Sequence, residues 1–205
     1  MDGQEYLNQI SASNRPVKQS KLNQILTNKF FLIGVGALAA LIIIIIIGTI
    51  ISSGKGDEKK DSITLLLRIN NTSGIIEEYQ DSVRSSELRA NSASFNTVLQ
   101  DTSKKLGDYL VQEYNYKEKD ASKTTVEQLT LEKDGLIEEL YEAKINGVLD
   151  RIFAHKMAYQ IEVLTAESSQ IQKITKNEIL QDILGTFSSS LENLYDKFNN
   201  FSEGQ

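Results

Sequence analysis

Few residues in this chain of 205 have the types and spacing needed for catalysis or metal binding, and His155 is the only histidine. A di-metal site in a helical bundle needs glutamates plus two Glu-x-x-His pairs, but the residue three before His155 is Ile152. No serine lies in a nucleophile motif, and there is no cysteine to form a disulfide or a thiolate site. We therefore expect His155 to lie at the edge of a core.

Paired carboxylates occur at Glu77-Glu78 and Glu138-Glu139, where general acid–base chemistry would need a cleft that shifts their proton affinities. On amphipathic helices such pairs usually form the solvated face. Neither phosphate-binding pattern, GxGxxG or GxxxxGK[ST], occurs, and the acidic body would repel nucleic acid. We expect no enzyme activity, no metal or other cofactor, and no nucleic-acid partner.

The longest uncharged segment of the chain runs from Phe30 to Ile51, with the sequence FFLIGVGALAALIIIIIIGTII. As a helix it would measure about 33 Å, enough to cross a hydrocarbon core of about 30 Å. A cleaved signal peptide would have a shorter apolar region followed by a site of small residues. The length predicts a retained transmembrane signal anchor at 30–51.

The charge on the two sides of this segment is asymmetric. The whole chain has a net charge of −6 and residues 1–29 contribute +2, so the remainder carries −8. Basic residues beside a span tend to stay in the cytoplasm. We predict a cytoplasmic, mostly disordered tail and an extracytoplasmic body, with the inverted topology left as an alternative. The basic residues flanking the span are Arg15, Lys18, Lys21 and Lys29.

One face of the predicted span carries small residues, with Gly36 and Ala40 four apart and Gly34 and Ala37 three apart. Such faces allow helix backbones to approach closely, and this pattern predicts self-association of the span.

The body shows apolar residues at alternating steps of four and three, which is typical of amphipathic helices. The clearest stripe lies near the C-terminus, where Thr175 and Glu178 match a capping box. Thr124 and Glu127 match a second one. The predicted bundle core of the last helix is Leu180, Leu184, Phe187, Leu191, Leu194 and Phe198, with Phe201 continuing the stripe.

Further stripes predict helices over about 58–83 and 86–114, followed by a polar loop at 115–123. Residues 124–173 are ambiguous, because Asn146-Gly147 is a strong turn dipeptide while the spacing on both sides remains helical. We favour one long helix there and keep two shorter helices as the alternative. The predicted stripe of this segment is Leu129, Leu136, Leu140, Tyr141, Ile145, Val148, Ile152, Tyr159 and Val163.

The predicted fold class is all-α: one N-terminal transmembrane helix followed by an antiparallel bundle of four or five helices, of coiled-coil type. The expected organisation is a tail at 1–29, the anchor at 30–51, a flexible joint at 52–57 and the bundle at 58–205.

These features predict a single-pass, non-enzymatic interaction or scaffold component of the cell envelope. Its expected partners are the lipid bilayer and a protein at the membrane, and the apolar stripes leave open whether copies of the chain associate. Tyr114 and Tyr116 lie beside a loop where a partner could bind. The alternative is a ligand- or peptide-binding bundle, with a pocket near Thr72, Ser92 and Thr102.

Overall fold

The computed structural model describes residues 57–201, which form five α-helices, two short 3-10 turns and no β-strand. The prediction of an all-α bundle is therefore confirmed for this part of the chain. The predicted tail, transmembrane anchor and most of the joint lie outside the described residues. None of the helices within 57–201 combines the length and apolar character that crossing a membrane requires.

The helices follow one another with short connections, so neighbours in sequence run antiparallel. Helices α1, α2, α4 and α5 form a four-helix core, in which α1 packs on α2 and α4, and α5 packs on α2 and α4. Helix α3 is a fifth, peripheral helix that packs on α1 and α4. The helices are α1 (Glu58–Tyr79), α2 (Ser86–Tyr114), α3 (Lys123–Ile145), α4 (Leu149–Ile174) and α5 (Glu178–Asn199).

The helices begin and end where local chemistry satisfies free backbone groups. Asp57, the last residue of the predicted joint, caps α1 by accepting a hydrogen bond from the Lys60 N–H, and Ser85 caps α2 in the same way. Helix α2 ends at Tyr114 because Asn115 adopts a left-handed conformation, with φ of 49°, which asparagine tolerates better than most residues.

Both predicted capping boxes are wrong. Asn177, not Thr175, caps α5, and its side chain accepts hydrogen bonds from the backbone N–H groups of Ile179 and Leu180. Thr175 instead follows the last residue of α4, and its hydroxyl accepts from the Asn177 N–H. Helix α3 begins at Lys123 after Ser122, one residue ahead of Thr124. Thr175 lies in the short connection between α4 and α5, where its hydroxyl bonds to the next turn of the chain instead of capping a helix.

The preference for one long helix over 124–173 is also wrong, because the chain breaks into α3 and α4 at Asn146-Gly147. The Val148 N–H bonds to the Ala143 carbonyl and the Gly147 N–H to that of Lys144, at 3.0 and 3.2 Å. This is the Schellman pattern of a helix end, and it requires a positive φ at the residue after the cap. Gly147 supplies that conformation, with φ of 72°.

Replacing Gly147 with alanine should lower the free energy of unfolding by about 1–2 kcal/mol, since a Cβ is strained in the left-handed region. Gly107→Ala, within α2, is the matched control and should raise it by about 1 kcal/mol, because alanine favours helix more than glycine. An added Cβ meets nothing within 4 Å at either position, so only backbone conformation differs. Urea unfolding followed by circular dichroism measures both, and equal effects would contradict the assigned break.

The core of the bundle is continuous and lies along the axis of the four main helices. All six predicted core residues of α5 are buried, and Phe201 is half-buried. The ring centroids of Phe95 in α2 and Phe198 in α5 lie 5.8 Å apart, which joins these two helices. This packing joins α1, α2, α4 and α5 into one core, on whose side α3 lies.

Candidate functional site

Polar groups and exposed apolar groups of the described bundle concentrate at three places. The first is an ionic cluster of Arg68, Glu132 and Glu167, where α1, α3 and α4 meet. The second is an end groove at the turns that join α1 to α2 and α3 to α4. The third is the outer face of α3, which consists of Glu127, Leu131, Asp134, Glu138, Tyr141, Glu142 and Ile145.

The ionic cluster places one guanidinium between two carboxylates. Arg68 Nε donates to Glu167 Oε1 at 2.9 Å, and Arg68 Nη1 donates to Glu132 Oε2 at 2.6 Å. Arg68 and Glu167 are buried, whereas Glu132 is partly exposed. The other carboxylate oxygen of Glu167, Oε2, is buried without a hydrogen-bond partner. The cluster therefore ties the peripheral helix α3 to the four-helix core.

Burial and charge act in opposite directions on the groups of this cluster. Burial raises the pKa of Glu167 above its ordinary value, and Arg68 opposes this rise. For Arg68, burial favours the neutral form, but the carboxylates of Glu167 and Glu132 outweigh it and raise the pKa. Asp61, which lies outside the cluster, also has a raised pKa, because burial and the charge of Asp57 outweigh the opposing charge of Lys60. A carboxyl with raised pKa is what acid–base chemistry needs, provided a substrate can reach it.

The space beside the ionic cluster is too small for a substrate. A cavity of about 20 Å³ lies between Arg68, Thr72 and Gln160, enough for about one water molecule. Of the three residues expected to line a ligand pocket, Thr72 bonds to Gln160, Ser92 bonds to the Leu88 carbonyl, and Thr102 is buried. The cluster is therefore a structural tie between helices.

Another carboxylate, that of Glu58, is held by hydrogen bonds where α1 begins. Both Tyr109 and Tyr114 donate their hydroxyls to Glu58 Oε1, at 2.9 and 2.6 Å. Burial raises the pKa of Glu58, but hydrogen bonds from Tyr114, Thr175 and Tyr109 together outweigh burial and lower it. Tyr114 thus stabilises the junction of α1 and α2, and Tyr116 packs against the core.

The end groove has a volume of about 950 Å³ and is open to solvent. Its basic residues Arg84, Lys144 and Lys197 are balanced by three acidic ones, Glu87, Asp150 and Asp196. The carboxylate of Asp150 already has hydrogen-bond partners within the protein, because it accepts from the backbone N–H groups of Arg84 and Ser85. With no net charge and a polar lining, the groove favours neither an anion nor a cation.

The outer face of α3 carries apolar side chains that no other helix covers. Four of the six large apolar residues that the described part exposes lie on this one helix. Leu131 is 73% exposed, Ile145 67% and Tyr141 58%, and these three share one stripe. Val126, 41% exposed, lies on another side of α3. Three exposed apolar groups on one stripe are typical of an interaction surface.

The spacing of apolar residues predicted that Tyr141 and Ile145 lie in the core stripe of a long helix. That prediction is wrong, because both side chains are exposed. His155 is exposed on α4. Glu77 bonds to Asn96 and Gln100, and Glu139 pairs with Lys156, so these two carboxylates link helices. Within residues 57–201, no three acidic or histidine side chains are grouped so as to hold a metal ion.

The ionic cluster was missed entirely. The one signal for Arg68 was its place inside the apolar segment ITLLLRI, where a lone charge is costly unless it is paired. No feature of the neighbouring sequence identifies Glu167 as its partner, and Glu167 is 99 positions from Arg68 in the chain. Comparison with known proteins adds no assignment, since no protein-family model, curated protein or solved structure matches this chain.

Proposed function

We propose that this chain is a single-pass membrane protein that holds a helical bundle outside the membrane as a non-enzymatic interaction or scaffold component of the cell envelope. The observation that carries the proposal is the uncharged segment from Phe30 to Ile51, because a segment of this length and composition is stable in lipid as a helix. Anchoring raises the effective concentration of the bundle for any partner at the same membrane surface.

The form of the bundle supports an interaction role over catalysis or ligand storage. Its raised-pKa carboxyl at Glu167 is closed off, and the cavity beside Thr72 accommodates about one water. Its exposed apolar groups lie on the outer face of α3, where a partner helix would pack in the manner of a coiled coil. A ligand-binding role has less support, since the end groove has balanced charges.

Cell fractionation tests the anchor. The full chain should stay with membranes through high-salt and alkaline washes and be released by detergent, while a variant lacking residues 30–51 should appear in the aqueous fraction. Recovery of the full-length chain from the aqueous fraction without detergent would refute the membrane assignment.

Protease accessibility tests the topology. With a tag after Gln205, protease added to intact cells or spheroplasts should remove the tag. A protected tag that is digested only after lysis would place the bundle in the cytosol and overturn the envelope role.

A further inference from the structure

We infer that the outer face of α3 binds a basic amphipathic helix of a partner protein. This inference rests on the proposed function and names the partner class for it. It is supported by the spacing of the exposed residues, the charges between them and the attachment of α3 to the core.

The spacing is that of a helix-binding stripe. Leu131, Glu138 and Ile145 are seven residues apart, and seven residues return nearly to the same side of an α-helix. Tyr141 lies one turn before Ile145 on the same stripe. From Leu131 to Ile145 the stripe extends about 21 Å along the axis, which gives a partner helix of four turns a complete contact surface. Apolar anchors at i, i+3, i+4 and i+7 positions are how helices recognise helices.

The charges on the stripe select the partner. Asp134, Glu138 and Glu142 are exposed between the apolar residues, and none of them forms a salt bridge with a described basic side chain. Two of the three lysines of the same helix, Lys133 and Lys144, lie about 200° and 220° around the axis from Leu131. The third, Lys123, is the first residue of α3 and pairs with Glu127, so it leaves Asp134, Glu138 and Glu142 unpaired. The face is therefore both apolar and acidic, and a partner with lysine or arginine beside its apolar residues complements it.

The same charges argue against a second copy of this chain as the occupant. An isologous contact would place the stripe of one copy against the stripe of the other, with Asp134, Glu138 and Glu142 of both near the axis of symmetry. Like charges in such positions oppose association.

The attachment of α3 keeps this face presented outward. On its inner side, the Leu129 carbonyl accepts a hydrogen bond from Asn71, and the Ile137 carbonyl accepts one from the Tyr79 hydroxyl at 3.0 Å. Together with the Arg68–Glu132 ion pair, these bonds fix the rotation of α3 about its own axis. A partner helix thus meets a pre-formed surface, which lowers the entropy cost of binding.

A peptide-binding experiment tests the inference with the full chain in a non-ionic detergent. The probe is a fluorescent helical peptide of about 21 residues with leucines at its a and d positions and lysines beside them; the comparison peptide has glutamates in place of the lysines. The basic peptide should bind at least about tenfold more tightly, and its affinity should fall with added salt, because the charged residues are exposed.

Variants of the protein locate the binding surface. Leu131→Gln with Ile145→Gln, and separately Asp134→Asn with Glu138→Gln, should each weaken binding of the basic peptide by about tenfold or more. All four residues are exposed, so the fold is retained. The control is Val111→Gln with Ile179→Gln, at apolar residues that are exposed elsewhere, 54% and 58%. The control should change the affinity by less than about twofold.

Several results would overturn the inference. They are equal binding of the acidic and basic peptides, equal losses in the control variant, or self-association of the chain that Leu131→Gln with Ile145→Gln abolishes. Any of these would leave the proposed function standing.

Photo-crosslinking in the producing cells separates the two proposals. A photoreactive residue at 131 or 145 should give an adduct in a basic amphipathic segment of another protein. Adducts from positions 111 and 179 alone would refute the α3 surface but keep the interaction role. If the anchored chain gives no adduct from any of these four positions, the proposed interaction role fails with it.

Discussion

Replacing Arg68 with methionine should lower the free energy of unfolding of the bundle by about 3–5 kcal/mol. The guanidinium is hydrogen-bonded to two carboxylates, one of which, Glu167, is buried on α4. Without Arg68 that carboxylate keeps the cost of burial and loses the charge that offsets it. Small domains are stable by about 5–15 kcal/mol, so this loss is a large share of the total.

Two further variants show whether the effect comes from a buried uncompensated charge. Arg68→Met combined with Glu167→Leu should recover most of the loss, because an apolar pair of similar volume replaces a buried ion pair at little cost. Lys104→Met removes one partner of the exposed Lys104–Asp108 pair and should leave stability nearly unchanged, because solvent screens exposed ion pairs. Urea unfolding followed by circular dichroism measures all three. Similar losses for Arg68→Met and Lys104→Met would contradict a stabilising role for the cluster.

Removing Arg68 would also act on the proposed interaction surface. Glu132 belongs to the inner side of α3, and its ion pair with Arg68 is one of the few strong ties that hold this helix. The ionic cluster and the outer face are therefore physically connected through α3, even though one is buried and the other exposed.

The sequence correctly predicted those features of the fold that depend on residues close together in the chain. The limits of α2 and the burial of Leu180, Leu184 and Phe187 in α5 follow from apolar spacing of three and four residues. Such spacing is a property of one helix alone. The capping box predicted from the local sequence at Thr175 was wrong, because the residue that caps α5 depends on the path of the chain after α4.

Properties that depend on packing between distant segments were not predictable in this way. Arg68 and Glu167 are 99 positions apart, so no local pattern pairs them. The exposure of Leu131 and Ile145 depends on α3 packing on one side of the core instead of within it. When a helix has apolar residues on two sides, its sequence predicts more burial than the structure shows. The candidate interaction surface could therefore not be located before the structure.

The break at Asn146-Gly147 had the largest consequence for the predicted core. The predicted long helix continued the periodicity of α3 through this break, and it therefore placed Val148, Ile152 and Val163 on the buried stripe. The structure restarts the helix at Leu149, and all three of these residues are only half-buried. The buried stripe of α4 is instead Leu149, Phe153, Met157, Ile161, Leu164, Ser168 and Ile171.

Replacing Ile161 with alanine should lower the free energy of unfolding by about 2–5 kcal/mol, because it removes a buried side chain and leaves a cavity. Ile161 is 1% exposed in the core of the bundle, whereas Ile152, on the same helix, is half-buried. Ile152→Ala makes the same chemical change and should cost about half as much or less, since part of its surface is already in water. Urea unfolding measures both variants against the unchanged chain.

The ranking of these two variants distinguishes the two registers of α4. An uninterrupted helix over 124–173 would bury Ile152 and make its truncation the more costly of the two. Phe153→Ala provides a second comparison within one turn, with an expected loss of about 3–5 kcal/mol for a fully buried aromatic ring. If Ile152→Ala cost more than both Ile161→Ala and Phe153→Ala, the helix break and the register that follows from it would be wrong. The outward orientation of Tyr141 and Ile145 would then be wrong too, because it depends on α3 ending at Ile145.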